Sequence, residues 1–356
     1  MTTLRGIPFS PAFQASGATN FYGPGSGPGH GWWYHTPLHL FGLNFAGSTL
    51  VSKTTTLDAR PGNMPLKKDG VTPKEWIPKC IIVNREKRAV LNAVSLSGPG
   101  LEFLLTSGEW HRQREPFFIS VMSLAKKAED RRAELRAIFE RLAKAKREER
   151  FLADWGIQPN FSCPNGGVDP NDLVDEVVPT LEMADEILPN TIPLMPKFGP
   201  EIHPKSMLKI CKAPRCDAIS VFNTLPFGKH PAWAKISLPV DWRRIFGTDD
   251  PKESPMAKRF PGCAGGYSGA YMLHFLLEWL GQVRGLGVHI PICAGGGILS
   301  PSAAALVLGA GADAVSIGSM AMLAPTQVQK TIASAHEYVH RHRHVYRFQQ
   351  PVTSQP

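Results

Sequence analysis

Short apolar runs at residues 9–17, 47–53, 116–121, 156–162, 191–197, 217–223, 288–294 and 312–317 alternate with longer stretches whose apolar positions recur every three or four residues. Runs of this length bounded by Gly, Pro, Asn or Ser predict buried strands, and the longer stretches predict amphipathic helices. The helices are expected at 123–150, with Ser123 as its cap, and at 171–188, 270–283 and 325–340. Parallel strands need crossovers of this kind, and eight of them close into a (β/α)8 TIM barrel, which sets the class as α/β. An open doubly wound sheet is the alternative, but it does not call for eight strands with polar groups at their ends. No repeat of fixed period runs along the chain, which excludes a solenoid.

The whole of 1–356 reads as a single barrel domain with two interruptions. One is a Gly/Pro/aromatic insertion at about 23–40, which includes Trp32-Trp33-Tyr34-His35; the other is a long excursion at about 225–264. The aromatic run either packs on the barrel rim or forms a lid or docking surface. The stretch after the second strand, around Asn92, is expected to be a loop.

Composition narrows the function classes. Hydrophobic content of 43% is ample for a core, and a formal charge of +9 favours anionic ligands in general terms. The basic excess lies on a mixed-charge helical pattern and near Arg341-His342-Arg343-His344, without a nucleic-acid-binding module, so nucleic acid is not expected as a partner. Six Cys show no CxxC pair and no spacing typical of zinc, so no metal is expected and the thiols are read as reduced. No stretch is long and apolar enough to cross a bilayer, and the N-terminus lacks a signal-peptide core. These features predict a soluble, cytoplasmic protein.

The chemistry gathers at the ends of the predicted strands. They carry Ser16, Lys53, Asn160-Phe161-Ser162-Cys163-Pro164-Asn165, Lys197, Asn223, Gly296 and Gly318. Singly, each has a structural explanation: a Lys that snorkels, an Asn that caps, an inert buried Cys. Together they fall where barrel enzymes place their reactive groups. Gly295-Gly296-Gly297 and Gly318-Ser319 follow the last two strands, where exposed backbone N–H groups form a phosphate cradle in this fold.

In order along the chain stand Ala15-Ser16-Gly17, Ser52-Lys53-Thr54-Thr55, Asn160 to Asn165, Pro196-Lys197, Phe222-Asn223-Thr224, Gly265-Gly266-Tyr267-Ser268-Gly269, Gly295-Gly296-Gly297-Ile298 and Ser316-Ile317-Gly318-Ser319. In this order the chain resembles the dihydroorotate dehydrogenases, and within them the soluble class 1 form with a Cys base. The match runs from about Pro8 to Met322.

The resemblance implies FMN in the barrel mouth, held by Ala15, Ser16, Lys53, Thr54, Asn160, Lys197, Asn223, Gly266, Gly296, Gly297, Gly318 and Ser319. It implies that Lys53, Asn92, Asn160, Asn165, Asn223 and Thr224 bind dihydroorotate or orotate. Cys163 would take the C5 proton while hydride leaves C6, with Lys53 between flavin and substrate. It further implies a homodimer and leaves open an electron-transfer subunit. The chain departs from the family's Asn-x-x-Gly-Leu-Pro-Asn loop, reading Asn92-Ala93-Val94-Ser95-Leu96-Ser97-Gly98 instead. Leu273-His274 also stands where the family has Lys-Pro. A related flavin oxidoreductase acting on another dihydropyrimidine is the alternative, although Asn165 replaces the His expected of those enzymes. A non-catalytic flavin-binding scaffold is a third class, set against the presence of Cys163 and both Lys.

Overall fold

The computed structural model describes residues 2–162 and 170–342. Two predicted site residues, Cys163 and Asn165, lie outside the described residues.

The α/β class holds. Phe117–Val121 and Trp155–Pro159 pair in parallel, with Phe117 opposite Trp155 and Val121 opposite Pro159, and every residue of both is buried. Burial on both faces explains why these strands read as continuous apolar runs rather than alternations. Gly156 belongs to this packing, because a Cβ there would run into the Phe118 ring.

A second parallel sheet orders Ala12–Gln14, Ala314–Ile317, Ile292–Gly295, Ile219–Val221 and Lys197–Phe198. Isolated parallel bridges join the two sheets. Phe13 bridges Thr49, Val51 bridges Phe118, Thr55 bridges Val121, Ile157 bridges Leu194, and Asn160 bridges Lys197. Parallel neighbours therefore lead from Ala12–Gln14 through 49–55 and both sheets back to Ala12–Gln14.

Two apolar clusters flank these strands. The larger fills the space between strands and helices, and Met272–Gly285 shows why: Met272, Phe275, Leu276, Trp279, Leu280 and Val283 share its inner face. The smaller cluster joins Phe13, Val51, Phe118, Met195, Ala218, Cys293 and Ala314 to Leu4, Ile7 and Phe9. Phe9 and Phe118 lie 4.7 Å apart by ring centroids. These last three apolar residues come from an N-terminal antiparallel hairpin, Thr2–Leu4 with Ile7–Phe9, that the hydrophobic pattern did not reveal. Strands of three residues are too short to carry a period.

Several expectations need correction. The second strand, expected at 47–53, makes bridges at Thr49, Val51 and Thr55 but no continuous ladder, and the fifth is regular only at Lys197–Phe198. The helix expected from residue 123 begins at Ala128, with Lys127 at the N-cap position and no side-chain cap. Ser123 instead donates its hydroxyl to Glu134 Oε2 at 2.5 Å, a tertiary use of the side chain. Asn92 is not in a loop. It ends the strand Ala89–Asn92, which pairs antiparallel with Ile81–Asn84 on one side and Gly266–Gly269 on the other. Leu225–Pro226 completes this four-stranded sheet, so the 225–264 excursion begins as a strand and also holds the short helix Trp242–Phe246. Long sequence separation hid that sheet, since Asn92 and Gly266 meet 174 residues apart.

Candidate active site

The strand ends and the antiparallel sheet enclose a cavity of about 840 Å³. Ala15, Ser16, Lys53, Thr54, Asn92, Asn160, Lys197, Asn223, Thr224, Gly296, Gly297, Gly318 and Ser319 all line it. Gly266 does not reach the wall; it stands behind Asn92, accepting from Asn92 Nδ2 at 3.2 Å through its carbonyl. The charged residues on the described wall are Lys53, Arg85 and Lys197, with no carboxylate beside them. A wall of that sign draws anionic groups.

Along the wall runs a chain of hydroxyls and carboxamides. Ser16 Oγ donates to the Ser52 carbonyl at 2.8 Å and lies 2.9 Å from Thr54 Oγ1. Thr54 Oγ1 lies 2.8 Å from Ser120 Oγ and 3.4 Å from Asn160 Nδ2. Asn160 Oδ1 in turn accepts from the Ser162 amide at 3.1 Å and the Ser162 hydroxyl at 2.8 Å. The Ser162 carbonyl accepts from Asn223 Nδ2. Five strands, 12–14, 49–55, 117–121, 155–159 and 219–221, are thereby joined by side chains that the pleat alone would leave independent.

Lys53 is 7% exposed, and its ammonium donates to the Ser97 carbonyl and sits over the Phe21 ring. Burial pulls its pKa down to about 7, opposed weakly by the Cys80 thiol nearby. A lysine poised there holds or releases a proton near neutrality.

The loop over this lysine is braced rather than loose. Arg60 Nε donates to the Ser95 carbonyl at 3.0 Å, Asn63 Nδ2 to the Ala93 carbonyl at 2.8 Å, and Met64 N to Ser97 Oγ at 3.0 Å. Ser95 has φ of 55° and Leu96 of 56°, a region that glycine enters freely and other residues rarely. The family's Gly at the Ser95 position thus corresponds to a left-handed backbone that Ser adopts here.

The Gly-rich turns make a cradle. Gly296 has φ of 129° and Gly297 of 72°. A Cβ on Gly297 would stand 2.9 Å from the Gly269 carbonyl oxygen and closer still to Leu273 N, and one on Gly318 3.1 Å from Ala15 Cβ. Among the described residues, the amides of Gly296, Gly297, Gly318 and Ser319 donate to no backbone carbonyl in the turns. All four residues line the cavity, so loop backbone borders it there. The following helices contribute little, because one is the single turn Met320–Leu323 and the other starts only at Pro301.

The aromatic insertion reaches the same cavity. Trp32, Trp33 and Tyr34 line it, with Trp32 Nε1 donating to the Gly17 carbonyl at 2.9 Å. Trp33 stacks on Trp76. The rest of the insertion is tied to the fold, as His30 Nε2 lies 3.2 Å from Glu109 Oε2 and Gly31 N donates to the Thr19 and Gly23 carbonyls.

Sequence reasoning missed Phe21, Arg85, Trp76, Ser97, Ser120 and Ser162. Ser97 and Ser162 carried a signal, since each lies inside a segment already quoted; the others are placed by contacts far apart in the chain. No group of His, Cys, Asp and Glu suited to a metal occurs among the described residues.

No protein-family model matches the chain. It is 25% identical over 336 residues to the catalytic subunit of dihydroorotate dehydrogenase B (NAD(+)) from Desulforudis audaxviator, covering 93% of this chain and 89% of that protein. It is 24% identical over 284 residues to the corresponding subunit from Latilactobacillus sakei, covering 78% of this chain and 76% of that protein. Dihydroorotate dehydrogenase A (fumarate) from Lacticaseibacillus paracasei is 27% identical over 289 residues, covering 78% and 81%. The dihydroorotate dehydrogenase of Eimeria tenella, solved in complex with ferulenol, shares the fold with a TM-score of 0.65 and 16% identity, over 98% of this chain and 86% of that one. With ordered motifs converging on one cavity, these relatives support the chain as a member of the dihydroorotate dehydrogenase family and as an oxidoreductase of that kind.

Proposed function

We propose that the chain is a (β/α)8 barrel flavoenzyme that oxidises dihydroorotate to orotate with FMN in the described cavity. The single observation that carries this reading is the convergence of Lys53, Asn92, Asn160, Lys197, Asn223, Thr224 and the Gly296–Gly297 and Gly318–Ser319 turns on one cationic cavity. The return of parallel neighbours to their starting strand supports the barrel.

The residues present fit the cofactor. The Gly296–Gly297 and Gly318–Ser319 turns bring loop backbone to the cavity wall, which suits its phosphate. Ala15, Ser16, Thr54 and Asn160 would border the ring, and Gly266 would act only through Asn92. Lys197 would stabilise negative charge on the reduced ring. Bound FMN supplies the hydride acceptor.

The chain's own residues do the rest. Asn92, Asn160, Asn165, Asn223 and Thr224 would orient the substrate ring, and Lys53 would lie between ring and cofactor. Cys163 would remove the C5 proton, a role for which a thiol of ordinary pKa near 8.5 is usable beside lysines. The braced 93–98 loop would cover the substrate. The words "catalytic subunit" in two relatives' names support an electron-transfer partner. A homodimer would be the assembly unit, in a cytoplasmic setting. Among the described residues no helix is long and apolar enough to span a membrane.

The test is anaerobic mixing of the purified, flavin-loaded protein with dihydroorotate, dihydrouracil or dihydrothymine. Bleaching of the flavin by dihydroorotate alone is expected; bleaching only by another dihydropyrimidine moves the assignment to that substrate. Cys163→Ala is expected to retain flavin while slowing the bleaching sharply at neutral pH, and an undiminished rate removes Cys163 as the base.

A further inference from the structure

Ser162 is buried, and it holds two of the cavity's carboxamides at once. Its amide and its hydroxyl both donate to Asn160 Oδ1, at 3.1 and 2.8 Å, while its carbonyl accepts from Asn223 Nδ2 across 61 residues of sequence. Gly199 makes room for it, since a Cβ there would stand 3.3 Å from Ser162 Cβ.

A backbone N–H can only donate and a backbone carbonyl can only accept. Neither carboxamide can therefore be turned over: the atom Asn160 shows to Ser162 is its oxygen, and the atom Asn223 shows is its nitrogen. Both lone pairs of Asn160 Oδ1 are occupied, so Nδ2 is the only group Asn160 has left for other partners.

The hydroxyl chain gives the same answer independently. Ser16 spends its proton on the Ser52 carbonyl, so at 2.9 Å it must accept from Thr54. Thr54, its own proton spent, must accept from both Ser120 and Asn160 Nδ2. One Nδ2 hydrogen of Asn160 is thus committed to Thr54, and the second remains for the cavity. Asn223 is less restricted, with one Nδ2 hydrogen taken by Ser162, the other still free to donate and its Oδ1 left as an acceptor.

We propose that Ser162 is a positioning residue that fixes the hydrogen-bond polarity of the cavity, with Asn160 a donor only and Asn223 an acceptor. The ligand edge that fits is a cyclic amide or imide, its ring carbonyl meeting Asn160 and its ring N–H meeting Asn223. This rests on the oxidoreductase reading of the same cavity, which named the two carboxamides but not which way round they present themselves.

The experiment is a titration of orotate into the flavin-loaded protein, followed by the change in flavin absorbance and by calorimetry. Binding by the unmodified protein comes first; its failure overturns the reading of the cavity and this proposal with it. Ser162→Ala removes the hydroxyl donor and keeps the amide. A loss of orotate affinity of about fivefold to tenfold is expected, the size of one neutral hydrogen bond, with flavin content and melting temperature unchanged. Asn160→Asp keeps the oxygen that Ser162 holds but replaces the donor by an acceptor, and orotate binding should fall by more than about a hundredfold. Unchanged affinity in Ser162→Ala, or losses of affinity, flavin and melting temperature together, overturns the positioning role of the hydroxyl and leaves the polarity to the main chain of residue 162. Unchanged affinity in Asn160→Asp overturns the donor assignment, and this variant decides alone if Ser162→Ala does not fold.

Discussion

The Nζ of Lys53 lies 4.7 Å from the centroid of the Phe21 ring, beneath a loop whose Ser97 carbonyl takes its hydrogen bond. The ring face and the carbonyl offset part of the cost of burying a charge, and the residual cost appears as the drop in pKa to about 7 from 10.5. Between these two values the unfolded chain binds the proton and the folded chain does not. Stability should therefore rise with pH through this window, while below about 7 both states carry the proton and the full penalty remains. Urea unfolding of wild type and Lys53→Met at several pH values from 7 to 10 checks this. Wild type should gain on the variant by up to about 1.4 kcal/mol per pH unit, and parallel profiles would exclude desolvation of Lys53 as the cause.

Ser95 tests the loop from a different side. At φ of 55° a β-branched residue is strained, so Ser95→Val should cost about 1–2 kcal/mol in chemical denaturation and weaken ligand binding at the wall it lines. Ser95→Gly should be tolerated. Equal behaviour of the two variants would mean that the left-handed turn is not required.

The two Gly turns should respond unequally. Gly297→Ala places a Cβ on backbone atoms of residues 269 and 273 that cannot give way, at a φ of 72°. A loss of more than about 2 kcal/mol is expected, together with loss of bound flavin. Gly318→Ala meets only the Ala15 methyl at 3.1 Å and should lower flavin content with little change in melting temperature. A reversed order would argue against Gly297 as a point of close packing.

Trp33 and Trp76 stack at 4.1 Å between ring centroids, and Trp76 is 68% exposed. Its contribution to stability should be small, within about 1.5 kcal/mol. Both residues border the cavity, so Trp76→Ala should speed ligand release severalfold in stopped-flow experiments while leaving the unfolding midpoint nearly unchanged. An unaltered release rate would assign the pair to the rim alone.

Arg284 provides a control remote from the cavity. It binds the Gly311, Val288 and Ile290 carbonyls and pairs with Asp313 at 2.8 Å, while Asp313 also accepts from Ile292 N. Arg284→Ala leaves these acceptors and a half-buried carboxylate without their partner, and about 3 kcal/mol of stability should be lost. Kinetics per folded molecule should be unaffected.

What the chain determined by itself was local. The runs at 116–121 and 156–162 formed strands because their residues are apolar on both faces, and the motifs at strand ends needed only short segments to be recognised. The family resemblance drew on the same short segments, read in order. Tertiary structure decided everything that depends on a partner distant in sequence. The hydrophobic pattern could not bring Gly266 beside Asn92, set Lys53 under Ser97 or give Ser162 two carboxamides to orient. Hydrophobic periodicity states which face of a segment is buried but not which polar atoms meet there, because a hydrogen bond has a direction and a partner that only the folded chain supplies.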